Sequence, residues 1–143
     1  MSTAESELLG AFREVFEQGN RAWNAGDVKT AYASLPDQLT YQLAPTWPEA
    51  RVLRSREEVI EFFESFQETF PDVRTASHEY LEGDQGALIV GFRVIGTGRT
   101  SGAKAEMEIW QVWETRGGEE LSVTRVTEFT DRREALEAAG LSE

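Results

Sequence analysis

Glu128 and Arg93 are the side chains whose type and neighbours best suit them to polar chemistry within apolar segments. Glu128 is flanked by Thr127 and Phe129, so strand alternation sets it on one face with Val126 and Thr130. A carboxylate beside apolar neighbours has a raised pKa and becomes a usable acid or base. The alternative is an exposed strand Glu at the end of a sheet. Arg93 lies in the apolar run Ala87-Leu88-Ile89-Val90-Gly91-Phe92-Arg93-Val94-Ile95. A charge there is costly unless paired, so Arg93 calls for a carboxylate partner. It would then orient a substrate oxygen or stabilise developing negative charge. A structural Arg at a dimer interface is the competing reading, since Arg is enriched at interfaces.

His78 is the only histidine. Neither an orienting partner nor a nucleophile is visible at catalytic spacing, so it reads as a bystander. Catalytic zinc usually takes several His, so no metal is expected. The glycine-rich stretch from Gly96 to Gly102 lacks the Lys-Ser/Thr ending of a phosphate-binding loop and opens no helix. It reads as a hairpin connection.

The elements that must position these groups are readable from periodicity. Leu8, Leu9, Phe12, Val15, Phe16, Ala22 and Trp23 make a helical stripe from about Ser6 to Ala25. Gly19 is a weak point in that helix, costing ~1 kcal/mol against Ala. Asn24-Ala25-Gly26-Asp27 stops it, and Asp27 can cap a short second helix. Gln38 to Ala44 alternates as a strand, with Leu39, Tyr41 and Leu43 on one face. Ser55 and Glu58 form a capping box for a helix carrying Val59, Phe62, Phe63 and Phe66. Strands follow at about Val73–Glu82, Ala87–Gly96, Lys104–Arg116 and Leu121–Thr130, with turns at 83–86 and Gly117-Gly118. A last short helix from Arg132 to Ala139 ends at Gly140. Helices first and strands later favour α+β over a parallel sheet. Trp110 and Trp113 sit on opposite strand faces, so one points inward and the other outward. An exposed Trp on an open sheet face would mark a partner surface.

A chain of 143 residues with no cysteine fits one domain and excludes disulfides and thiolate metal sites. The N-terminus is acidic and lacks a signal peptide, and no membrane span is present, so a cytoplasmic protein is expected. The net charge of −12 argues against nucleic acid and anionic membranes. All 14 basic residues are Arg except Lys29 and Lys104. That bias fits either a salt-rich cytoplasm or a GC-rich genome.

Trp23-Asn24-Ala25-Gly26-Asp27, Ser55-Arg56-Glu57-Glu58-Val59-Ile60, Phe70-Pro71-Asp72, Gly83-Asp84, Gly96-Thr97 and Glu128-Phe129-Thr130-Asp131 occur in an order that resembles the SnoaL-like polyketide cyclases. These belong to the nuclear-transport-factor-2-like superfamily, with limonene epoxide hydrolases and ketosteroid isomerases as more distant relatives. The likeness runs from about Leu8 to Leu141. It implies an α+β cone: N-terminal helices packed on a strongly curved, mixed but mainly antiparallel sheet around an internal apolar pocket. It implies Glu128 and Arg93 as a catalytic pair. Tyr41, Leu43, Trp23, Phe16, Val126 and Thr130 would form the pocket wall. From their helical spacing Phe12, Phe16 and Trp23 read more readily as core than as ligand contacts, and Trp47 either covers the pocket mouth or anchors its own loop. The resemblance also implies a small apolar ligand, cofactor-free proton-transfer chemistry (cyclisation, isomerisation or hydrolysis), and a homodimer through the outer sheet face. A non-catalytic binding domain or a dimerisation scaffold is the alternative. The isomerase base would fall at Gln42 or Leu43, neither of which is an acid. Of the epoxide hydrolase set, Tyr41, Arg93 and Glu128 match in type, whereas Leu43 and Ile95 replace an asparagine and an aspartate. The histidine common in the cyclases is replaced by Gly98.

Overall fold

The structure, a computed structural model, describes residues 6–97, 104–115 and 122–141. Gly98, the Gly117-Gly118 turn and most of the 96–102 connection lie outside them. Helix α1 (Glu7–Asn24) begins where the Ser6 hydroxyl accepts a hydrogen bond from the Leu9 N–H at 3.1 Å. It buries Leu8, Phe12 and Trp23. Helix α2 (Val28–Ala31) is capped by Asp27 and folds back on α1. A Cβ on Gly19 would stand 2.9 Å from the Ala31 carbonyl oxygen. The glycine that weakens α1 is therefore the point at which α2 closes against it.

Strands β1 (Gln38–Gln42) and β2 (Val52–Ser55) lead into helix α3 (Arg56–Thr69). The sequence reading has no counterpart to β2, since four residues carry too little alternation to register. The Ser55 hydroxyl caps α3 by accepting from the Glu58 N–H at 3.1 Å. The Glu58 carboxylate turns back to the Arg54 N–H at 2.8 Å, one residue earlier than in the usual reciprocal pair. Strands β3 (Arg74–Glu82), β4 (Leu88–Thr97), β5 (Lys104–Thr115) and β6 (Val123–Phe129) follow, then helix α4 (Arg132–Ala138).

The six strands form one open sheet in the order β2-β1-β6-β5-β4-β3. Only the β1/β6 pair is parallel. Register shifts interrupt three antiparallel pairs, and bulges of that kind bend and twist a sheet. The result is the expected α+β cone.

The two sheet faces are covered differently. The inner face presents Leu39, Tyr41, Val90, Phe92, Ile109, Trp113 and Val126 to a core completed by α1 and α3. The outer face carries a smaller cluster in which Ile89, Trp110 and Val112 lie beneath Ala135, Leu136 and Ala139. Trp113 thus points inward and Trp110 outward, as alternation requires. Trp110 is only 1% exposed, however, because α4 covers it. The expected open tryptophan surface is absent at this point. Gly91 faces the same indole, and a Cβ there would meet the ring at 2.6 Å.

Candidate functional site

The inner face of three adjacent strands converges on Glu128. Gln111 on β5 is its directly opposed partner on β6. Tyr41 on β1 lies opposite Val126, two residues before Glu128. The loop after β1 then folds across, bringing Ala44 and Trp47 to the same place. Glu128 is 4% exposed and receives four donors. The Ala44 N–H (3.0 Å) and the Trp47 indole N–H (2.6 Å) donate to Oε1. The Tyr41 hydroxyl (3.1 Å) and the Gln111 amide (2.8 Å) donate to Oε2. Gln111 also donates to the Tyr41 oxygen at 2.8 Å, and its own carbonyl accepts from the Trp113 indole at 2.7 Å. Both carboxylate oxygens are fully used, and every partner is neutral.

Burial pushes the Glu128 carboxyl above its ordinary range, while the four donors pull it partly back. The Tyr41 hydroxyl is held well above its usual value, first by burial and then by the Glu128 charge. Tyr32 on the far wall is raised for the same two reasons, and it faces both the Trp23 indole and the Tyr41 hydroxyl.

These groups line a cavity of about 60 Å³. Its walls come from α1 (Phe12, Val15, Phe16, Gly19, Asn20, Trp23), α2 and the segment after it (Ala31, Tyr32, Ser34, Leu35), and α3 (Phe63). Tyr41, Trp47, Thr75, Phe92, Gln111, Trp113 and Glu128 close it from the sheet side. Asn20 and Thr75 hold each other through their side chains, and Asn20 Nδ2 also donates to the Thr75 carbonyl at 3.2 Å. Nine of the described lining residues are aromatic, and none is Lys, Arg or His.

The structure brings together Glu128, Tyr41, Trp23 and Phe16 of the residues expected from sequence. It places Leu43 and Val126 in the packed core beside the cavity and Thr130 exposed past the end of β6. Arg93 requires a correction. Its side chain is 56% exposed on the outer sheet face and lies 3.6 Å from Glu106. The inward positions of β4 are Leu88, Val90, Phe92 and Val94, all apolar. The Arg93–Glu128 pair is therefore not formed, and among the described residues no Lys, Arg or His lines the cavity beside Glu128 in its place. His78 is also outside, 3.8 Å from Glu108 and edge-on to Trp110. Trp47 both anchors its loop, packing on Phe63 and Phe66, and binds Glu128.

Gln111, Tyr32, Trp113 and the Ala44 N–H are site groups that the sequence reading missed. Gln111 did leave a signal: it is the one polar residue in Ile109-Trp110-Gln111-Val112-Trp113, on the face shared with Ile109 and Trp113. Ala44 contributes only its backbone, which no residue type announces. Among the described residues no group of three or more His, Asp or Glu is placed to hold a metal ion. Nor is any helix among them long and apolar enough to cross a membrane.

The profile of the SnoaL-like domain matches residues 13–123. The chain belongs to the SnoaL-like domain family. Solved structures agree on the fold of this SnoaL-like domain. A protein from a soil-derived mobile gene cassette superposes with a TM-score of 0.69 at 19% identity, covering 85% of this chain and 90% of the other. A putative polyketide cyclase from Xanthomonas campestris gives 0.64 at 16%, covering 90% and 96%. The epoxide hydrolase/cyclase-like enzyme SalBIII, of pyran ring formation in salinomycin, gives 0.66 at 16%, covering 86% and 92%. Curated proteins include no sequence match to this SnoaL-like domain.

Proposed function

We propose that the cavity is the active site of a small-molecule enzyme that moves protons without a cofactor, with Glu128 as acid/base and Tyr41 as its contact to the ligand. The observation that carries this reading is a carboxylate buried against an aromatic cavity that no Lys, Arg or His lines among the described residues. Such a group sits above the ordinary carboxylate range, nearer the pH at which an acid/base is most useful. A proton leaving a ligand carbon passes to the Tyr41 oxygen as the Tyr41 proton passes to Glu128 Oε2. The reverse path delivers it to a second atom. Family membership and the cyclase neighbours support this chemistry over transport. Arg93 has no part in it.

The test is deuterium uptake from D2O at the carbon next to the carbonyl in a panel of small cyclic ketones, with and without an amino group. The wild-type protein should exchange at least one member above the buffer rate. Glu128→Gln and Tyr41→Phe should lose that exchange while keeping a cooperative thermal transition. Exchange retained by Glu128→Gln, or none in any member, overturns the reading.

A second reading rests on the full occupancy of Glu128. With all four donors in place the carboxylate is also what a static anchor for a binding pocket looks like. Ligands that raise the melting temperature but never exchange would select it. We also propose that the polar part of the outer sheet face, where Arg93, Glu106 and Glu108 lie, forms a homodimer contact, which sedimentation velocity would test directly.

A further inference from the structure

The polar groups around Glu128 at the cavity floor are committed to one another, and this narrows what a ligand can bring there. The Trp47 and Trp113 indoles, the Gln111 amide and the Tyr41 hydroxyl all donate inward to the Glu128 network. A ligand oxygen therefore meets few uncommitted donors at the floor. Charge points the same way, since Glu128 faces the cavity and no Lys, Arg or His lines it among the described residues. Aromatic rings carry negative charge on their faces. Neighbouring lining rings stand at steep angles, 79° for Phe16 and Trp113 and 78° for Trp47 and Phe63, so the walls hold rings in more than one orientation. A cation that needs no hydrogen bond is the guest such walls favour, and aromatic surroundings are the recurrent way of holding quaternary ammonium groups. The volume agrees. A cavity of about 60 Å³ exceeds what a single water needs and leaves room for a small group. The net charge of −12 draws cations towards the protein from solution.

We infer that the cavity selects ligands carrying a small alkylated ammonium group, held by the aromatic walls and the negative charge of Glu128. This inference names the ligand class for the site proposed above and rests on that cavity being a ligand site. Anionic ligands are excluded by the same field, and neutral ligands of equal shape bind more weakly.

Choline and its uncharged isostere 3,3-dimethylbutan-1-ol test the inference, since they differ by one ammonium nitrogen against one carbon. Binding is read by isothermal titration and by quenching of the indoles that line the cavity. The wild-type protein should favour choline by at least tenfold. Phe92→Leu keeps the wall apolar but removes a ring, and it should cut the ratio of choline to alcohol binding several-fold. Glu128→Gln should cut it further. Equal binding of the two probes, tighter binding of the alcohol, or no binding of choline overturns the ammonium assignment. Ketone exchange that depends on Glu128 would survive each of those results, so the acid/base reading and the ammonium reading fail separately.

Discussion

Among the described residues, two carboxylates accept a hydrogen bond from a tyrosine, and their settings drive them in opposite directions. Glu128 accepts from Tyr41 inside the cone, and burial pushes it up. Glu17 on α1 accepts from Tyr80 and Ser77 of β3 at the half-buried edge of the same helix–sheet seam. Its carboxyl is pulled down, first by Ser77 and Tyr80 and further by the charges of Arg21 and Arg13. The donor chemistry is nearly the same in both. What differs is water and cations: Glu17 keeps some of the first and has two of the second nearby, and Glu128 has four neutral donors instead. One arrangement fixes a charge that ties a helix to a sheet. The other holds a charge where a proton can readily change it.

The largest contrast should come from deleting each carboxylate. Glu128→Leu leaves four buried donors unpaired, at about 1–3 kcal/mol for each that finds no water. The protein should then lose most of its stability in urea or fail to fold. Glu17→Leu leaves two donors that water reaches, and about 1 kcal/mol is expected. Equal losses would show that the Glu128 donors re-pair on their own and would break the comparison. Removing the tyrosine hydroxyls is the milder form of the same test. Tyr41→Phe should cost about 2 kcal/mol, because Gln111 also loses its acceptor, and Tyr80→Phe about half that.

The features that separate these two sites were unequally visible in the sequence. Tyr41 could be grouped with Leu39 and Leu43 on one strand face because polar and apolar residues alternate around it, whereas alternation only grouped Glu128 with Val126 and Thr130 and the family resemblance put it in the pocket. Arg93 could not be phased. The run from Ala87 to Phe92 just before it is buried on both sides around Ile89, inside by the core and outside by α4, so its residues are apolar regardless of face and give no alternation to carry on to Arg93. The α1 stripe and the caps at Asp27 and Ser55 were readable because each is local, whereas the Ser6 cap shows only in the structure. The closing of the 43–51 loop over Glu128 is not local. It depends on a backbone N–H at Ala44 and on a tryptophan that reaches α3 and β6 together. Gly91 and Gly19 are likewise explained only by what packs on them, the Trp110 indole and the Ala31 carbonyl.

The two carboxylates should also give opposite pH slopes. Glu17 is lowered by folding, so its contribution is present above the unfolded carboxyl range and lost as pH falls through the folded value. Glu128 is raised, so its contribution is full in acid and lost as pH rises through its folded value. Relative to wild type, Glu17→Gln should become more destabilising between about pH 3 and pH 7, and Glu128→Gln less so. Parallel slopes in urea unfolding would show that burial does not dominate at Glu128.

Salt should produce the smallest difference and the cleanest separation of cause. The attraction between Glu17 and the Arg13 and Arg21 charges runs through partly exposed space, where ions screen it. It is worth about 0.5 kcal/mol or less, and it should vanish by about 1 M KCl, where the Debye length is about 3 Å. The Glu17→Gln effect should therefore shrink with KCl. The Glu128→Gln effect should hold steady, since its partners are neutral donors inside the cone. Wild-type stability must be measured in the same series, because screening of the net charge of −12 raises the stability of every variant alike. Subtracting that common rise leaves the local difference. A salt-sensitive Glu128→Gln effect would mean that solvent ions reach the cavity floor, and the carboxylate could then no longer be treated as shielded by its aromatic walls.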